Sequence, residues 1–269
     1  MATDSSATEH AAGADAPHPA PLHIASAPLD DVTAGLVAAL TAAQQVQLAA
    51  FRDLLLDWSR RFNLTAITEP DEIERRLFLD ALRMLPAVDD ILADAASLRL
   101  VDIGAGAGFP GLVIAIARPH VDVTSIEATG KKVTFLQAVI DATGLSNARA
   151  IHGRAEDLAQ DPAHRARYDL ATARAVAALP SLMELAMPFL RVGGRALFPK
   201  AAELGEELTQ GKRAAEFVGA RVGESALLPH AAGERVTRMV IADKIGDTPS
   251  RYPRRAGIPA REPLGRGSP

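Results

Sequence analysis

The densest chemistry in the chain lies in one run, Val101-Asp102-Ile103-Gly104-Ala105-Gly106-Ala107-Gly108-Phe109-Pro110-Gly111. Alternating glycines let the backbone take up positive φ and approach a ligand closely. Asp102 stands just ahead of them, where a carboxylate repels a pyrophosphate and attracts an ammonium or a sulfonium. Pro110 removes an N–H from the start of the next helix, where a phosphate would need a donor. S-adenosylmethionine carries both cations and no phosphate, so Asp102, Gly104, Gly106 and Gly108 favour it as the ligand. A second reading stays open. Gly106-x-Gly108-x-x-Gly111 with Glu127 downstream also satisfies the dinucleotide pattern of an NAD-dependent oxidoreductase. A third is a non-catalytic module that binds S-adenosylmethionine as a sensor.

Other candidates fall at the ends of expected strands. Glu127 can accept hydrogen bonds from both hydroxyls of a ribose. Ala155-Glu156 follows the third strand, where an adenine edge would lie. Glu156 or its neighbour Asp157 could accept from the exocyclic amine or serve as an acid at a helix start. Arg174 follows the fourth strand, and its planar fork suits a carboxylate or a phosphate. Lys200, after the fifth strand, has a similar position.

These placements rest on the element pattern. Leu48, Phe51, Leu55, Trp58 and Phe62 recur at helical spacing. A second helix is expected from Pro70, with Ile73, Leu77, Ala81 and Leu85 inward. Strands are then expected at Leu98–Ile103, Val121–Glu127, Ala148–His152, Tyr168–Thr172 and Arg195–Phe198. Helices alternate with them at Gly111–Arg118, Lys131–Thr143, Leu179–Leu190 and Glu203–Phe217. Arg221–Leu228 and Arg235–Asp243 read as a closing antiparallel pair. Such alternation predicts an α/β, doubly wound sheet with helices on both faces. The expected divisions are a disordered Ala/Pro-rich tail over 1–30, a helical unit over 31–97, a ligand-binding domain over 98–245 and a basic, irregular tail over 246–269.

Composition removes several classes of function. The 269 residues include no cysteine, which excludes a zinc–thiolate site and a thiol nucleophile. The seven histidines are scattered and suggest no metal site. No apolar run is long enough to predict a membrane span, and the acidic start lacks the features of a signal peptide. A cytoplasmic monomer is the simplest expectation. The net charge is −4, so polyanion binding through bulk charge is not expected. The charge is uneven, however. Residues 1–50 hold five acids and no Lys or Arg, whereas 251–266 hold five arginines against Glu262. Arg60, Arg61, Arg75 and Arg76 together with Arg251, Arg254 and Arg255 could frame a crevice for RNA. Thr172-Ala173-Arg174-Ala175 lacks the Asn/Asp-Pro-Pro-aromatic cluster used on exocyclic amines. The absence of a base or thiol suits a target that is already nucleophilic, such as guanine N7.

Several further segments occur in a recognisable order: Asn63-Leu64-Thr65, the Gly-Phe-Pro-Gly ending at Gly111, Gly130-Lys131-Lys132, Gly153-Arg154-Ala155-Glu156, Ala173-Arg174-Ala175 and Tyr252-Pro253-Arg254-Arg255-Ala256-Gly257. In this order they resemble the bacterial small-subunit rRNA guanine-N7 methyltransferase family, also called glucose-inhibited division protein B, over roughly Leu48 to Leu264. The resemblance implies a Rossmann-like class I methyltransferase with a seven-stranded sheet and S-adenosylmethionine as methyl donor. Its substrate would be one guanine in the decoding-region loop of 16S rRNA, free or in the assembling small subunit. It also implies donor contacts at Gly104, Phe109, Ala155, Glu156 and Arg174, with the Phe109 ring packed on the donor. The tail arginines gain an RNA role from the same likeness. The chain departs from the family at Leu77, Ala173 and Ala201, where His, Ser and Gly are usual.

Overall fold

The computed structural model describes residues 29–93 and 95–265. The tail expected over 1–30 lies outside these residues except at its end. There Asp30 caps helix α1 (Asp31–Ala38), accepting from the Thr33 N–H. Helix α2 (Ala42–Ser59) opens with a capping box between Thr41 and Gln44. From Pro70 the chain runs through α3 (Pro70–Ile73), a π-helical segment Glu74–Leu79, and α4 (Asp80–Leu82). Helix α5 (Leu85–Leu92) follows. Neither α1 nor the π segment is expected from the sequence pattern.

The sheet contains β1 (Leu98–Ile103), β2 (Val121–Glu127), β3 (Ala148–His152), β4 (Tyr168–Thr172), β5 (Leu190–Ala201), β6 (Ala220–Leu227) and β7 (Thr237–Lys244). Their order is β3-β2-β1-β4-β5-β7-β6. The first five strands are parallel, and β7 runs antiparallel to both β5 and β6. The alternation predicts the doubly wound sheet, and the resemblance implies the seven-stranded class I methyltransferase arrangement found here. The connections carry α6 (Gly111–Ala117), α7 (Gly130–Thr143), α8 (Ala155–Leu158), α9 (Leu179–Ala186) and α10 (Glu206–Phe217), and α11 (Ile258–Arg261) lies in the C-terminal segment. Strand order reverses at β1, which lies between β2 and β4. In such sheets a ligand crevice opens at the carboxyl ends of the strands flanking that reversal.

Two hydrophobic layers hold the sheet. One joins Leu48, Phe51 and Leu55 of α2 and Ile73, Phe78 and Leu82 to Leu112, Val113, Phe135 and Leu136 of α6 and α7. The N-terminal helices therefore share a core with one face of the sheet rather than forming a core of their own. The other layer joins Val101, Ile126 and Tyr168 to α9 and α10 through Leu182, Met183, Ala214 and Ala215. Among the described residues no single helix is long and apolar enough to cross a membrane.

The C-terminal segment is fastened to this second layer. Ser181 donates to the Pro259 carbonyl at 2.7 Å. Arg165 donates to the carbonyls of Tyr252 and Thr248 at 2.9 and 2.8 Å. Arg254 forks onto Glu184, whose side chain is fully buried, with Nη2–Oε2 at 2.6 Å. Its backbone N–H donates to the same carboxylate at 2.8 Å. The Tyr-Pro-Arg-Arg segment is thus a strap across α9, and its arginines are not alike.

Candidate active site

The glycine run leaves the end of β1 and turns into α6. Gly104, Gly106 and Gly108 have φ of +63°, +58° and +89°, which side-chain-bearing residues rarely adopt. A Cβ on Gly111 would lie 2.6 Å from Asp102 Oδ2, so the helix start passes directly over that carboxylate. The Gly111 N–H donates to Asp102 Oδ2 at 3.0 Å. Asp102 is fully buried, and its Oδ1 has no hydrogen-bond partner among the described residues. Burial pushes its carboxyl up to about 7, against the pull of the Gly111 N–H and Arg174 and with a further push from Glu127. An orphaned anionic oxygen under a glycine loop suits a cation.

Glu127 closes the other side of the loop. Its carboxylate accepts from the Gly106 N–H at 3.0 Å and from the Thr129 N–H at 2.8 Å. A carboxylate has about four acceptor sites, so roughly two remain for ribose hydroxyls. These bonds also weigh against a dinucleotide. The Gly106 and Gly111 N–H groups that a pyrophosphate would require are committed to carboxylates, and Gly108 N–H goes to the Ala105 carbonyl. The residues present fit S-adenosylmethionine: Glu127 for the ribose, the Gly104–Gly106 backbone for close approach, and Asp102 for the cationic end.

Other site residues sit differently from expectation. The Phe109 ring stacks on Phe51 at 4.9 Å and meets Phe78 edge-on at 4.9 Å. Phe109 is only 5% exposed, and its ring joins the glycine loop to the N-terminal helices. Ala155 starts α8, and Glu156 is buried, its Oε1 accepting the Gly257 N–H of the strap at 2.8 Å. The start of α8 is therefore tied to the C-terminal segment.

Arg174 leaves β4 and lies over Phe109, with its guanidinium carbon 5.5 Å from the ring centroid. Nη1 donates to the Arg76 carbonyl at 3.1 Å. Burial lowers the Arg174 pKa, countered by Asp80 and Asp102. The next residue, Ala175, has φ +56°, a strained value for alanine. Val176 then folds over the loop, where a Cβ on Gly104 would meet its Cγ2 at 2.7 Å.

Beside Arg174 lies a cavity of about 900 Å³, walled by the N-terminal helices, the ends of β4 and β5, and the β6–β7 loop. Arg76 and Leu77 line it, as do Arg75, Lys200, Ala201 and Arg235. Lys200 is held by Glu207 at 2.6 Å and donates to the Ala177 carbonyl, so its ammonium is already engaged. Ala173 is buried and lies outside the cavity wall. Arg251 and Arg255 are exposed, and Arg251 lies over the Tyr252 ring at 5.1 Å. Arg254 differs from these two, its guanidinium being engaged by Glu184 and the Glu262 carbonyl. Among the described residues no group of three His, Asp or Glu could hold a metal.

Sequence reasoning missed Arg83. It is buried and binds Glu234 at 2.5 Å, Thr33 Oγ1 at 3.0 Å and Asp30 at 3.4 Å, fastening the β6–β7 loop to α1. These partners are distant in sequence and leave no local signal.

The family model for rRNA small subunit methyltransferase G (GidB) matches residues 44–231. The Streptococcus thermophilus protein of that name is 44% identical over 227 residues, covering 84% of this chain and 93% of its own. The Chloroflexus aggregans protein of the same name is 46% identical over 222 residues, covering 82% and 90%. Among solved structures, the antibiotic-resistance methyltransferase Kmr aligns with a TM-score of 0.45 at 19% identity, covering 60% of this chain and 92% of its own.

Proposed function

The chain belongs to the rRNA small subunit methyltransferase G family, and from that premise we propose that it methylates N7 of one guanine in the decoding-region loop of 16S rRNA. S-adenosylmethionine, the methyl donor of this family, supplies an electrophilic methyl group on sulfur. The observation that carries the reading is the cationic cavity opening beside Arg174, next to the Asp102–Glu127 glycine loop.

Guanine N7 has an in-plane lone pair and no proton, so no general base is required. As the N7–carbon bond forms and the sulfur–carbon bond breaks, sulfur becomes neutral and the base gains one positive charge. No proton moves. The work of this chain is then alignment and electrostatics. Glu127 and the loop backbone fix the donor's ribose, and Asp102 attracts its cationic end. Arg174 bridges the donor loop, the N-terminal helices and the cavity. Arg76, Arg174 and Arg235 supply local positive charge that the net −4 conceals. An rRNA substrate places the reaction in the cytoplasm.

The test uses purified protein, methyl-labelled S-adenosylmethionine, and either small subunits or naked 16S rRNA from a strain lacking the gene. The proposal predicts label in 16S rRNA and none in large-subunit RNA. Donor binding without label in either RNA contradicts it.

A further inference from the structure

Among the described residues four carboxylates line the cavity, and three are engaged at short range. Glu72 binds Arg75 at 2.6 Å. Glu207 binds Lys200 at 2.6 Å and accepts the Leu179 N–H at 2.8 Å. Glu234 binds Arg83 at 2.5 Å and accepts the Ala231 N–H at 3.0 Å. Asp80 differs. Its one contact of this kind is a long 3.4 Å approach from Arg83 Nη1, and its side chain is 25% exposed. It also interacts electrostatically with Arg174, which lies over Phe109 of the donor loop. Asp80 is therefore the least engaged carboxylate in the cavity wall, and it shares that wall with Arg174.

Guanine presents two adjacent donors, N1–H and the N2 amino group, on its Watson–Crick edge. A carboxylate matches that pair with two parallel hydrogen bonds. Adenine, cytosine and uracil have no such pair. A base taken out of its stack for chemistry is commonly read on this edge. N7 lies on the opposite side of the purine, so a carboxylate on the Watson–Crick edge leaves the reacting nitrogen free. Its negative charge also offsets the positive charge the base acquires on methylation, which an amide in the same place would not do.

We propose that Asp80 is the base-reading residue of this site, accepting from N1–H and the N2 amino group of the target guanine. The inference rests on the guanine reading above and adds the residue that selects the base. Arg174, with one N–H committed to the Arg76 carbonyl, retains donors for the O6 edge or a flanking phosphate.

The test replaces the target guanine with inosine, which keeps N7 and N1–H and lacks only the N2 amino group. Small subunits carrying either base are methylated by the wild-type protein and by Asp80→Asn, and kcat/KM is compared. Losing one hydrogen bond to a charged group predicts that wild type prefers guanine about ten- to a hundredfold. In Asp80→Asn the guanine-to-inosine ratio falls close to one, while donor affinity is retained. A merely structural role would lower both substrates together and leave the ratio unchanged, which overturns the inference. Equal wild-type rates on the two bases also overturn it, whatever the variant does, so the test survives a variant that fails to fold. Asp80→Ser provides a second, smaller replacement. No methylation of either base by wild type would instead remove the guanine reading itself, and this inference with it.

Discussion

The Arg174 guanidinium lies 5.5 Å from the centre of the Phe109 ring, and that ring stacks on Phe51. One short column thus links the end of β4, the donor loop and helix α2. Arg174→Ala should cut turnover about ten- to a hundredfold, the scale of lost hydrogen bonds to a charged group. Turnover should fall at least as far as donor affinity. Arg174→Lys should rescue little, because an ammonium lacks the planar fork that lies over the ring. Steady-state kinetics with calorimetry on the same variants would check both points.

Asp102 gives a pH prediction with a definite sign. Its carboxyl is pushed up to about 7 in the folded protein, above the unfolded value. The folded state therefore holds this proton more tightly than the unfolded state. Stability of the ligand-free protein should decline as pH rises toward about 7, by the linkage of proton binding to folding. Asp102→Asn should abolish that decline and melt higher than wild type near about pH 8. Donor binding should run the other way. Wild-type affinity should increase as Asp102 ionises, and the Asn variant should bind weakly with a flat profile over this range. Thermal melts and titration calorimetry across pH would show it.

Glu127 supports the loop as well as the ligand. Glu127→Gln can still accept one backbone N–H but loses the charge and one acceptor. Donor affinity should fall about tenfold or more, with Gly106 and Thr129 amides exchanging faster than in wild type. Hydrogen exchange resolved at these two amides would separate this from a loss of ligand contacts alone.

The strap arginines should divide by role. Arg254→Ala leaves Glu184 charged and fully buried, which should cost about 3 kcal/mol of stability. Arg251→Ala with Arg255→Ala should leave the melting temperature close to wild type, because both residues are exposed. If these two contact RNA, the double variant should raise KM for the subunit at moderate salt and leave donor affinity unchanged. Deleting the whole strap would mix the two effects, because Gly257 also holds Glu156.

How much the sequence reveals varies with the range of the interactions involved. Strands β1, β2 and β4 are legible because inner parallel strands are largely apolar runs, and the edge strand β3 is marked by Gly144, which closes the helix before it. The donor loop is legible because positive φ at three positions requires glycine. Strand β5 is longer than the pattern suggests. It runs from Leu190 to Ala201 rather than Arg195 to Phe198, with a register shift against β4 between Tyr168 and Leu170. The Phe109 ring cannot be placed from its neighbours, since its packing partner Phe51 belongs to another element. Arg254 reads as a free tail cation because Glu184 lies 70 residues away. Arg83 carries no motif of its own, and its partners Asp30 and Glu234 come together only where the N-terminal helices meet the β6–β7 loop.

The central claim is transfer of one methyl group to one guanine N7. The most direct measurement labels small subunits from a strain lacking the gene, then cleaves the RNA chemically at N7-methylguanine and maps the ends. The account predicts a single new cleavage in the decoding-region loop that requires both the protein and S-adenosylmethionine and disappears with Asp102→Asn. Label in 16S rRNA without cleavage at any guanine, or cleavage scattered over many guanines, would contradict it.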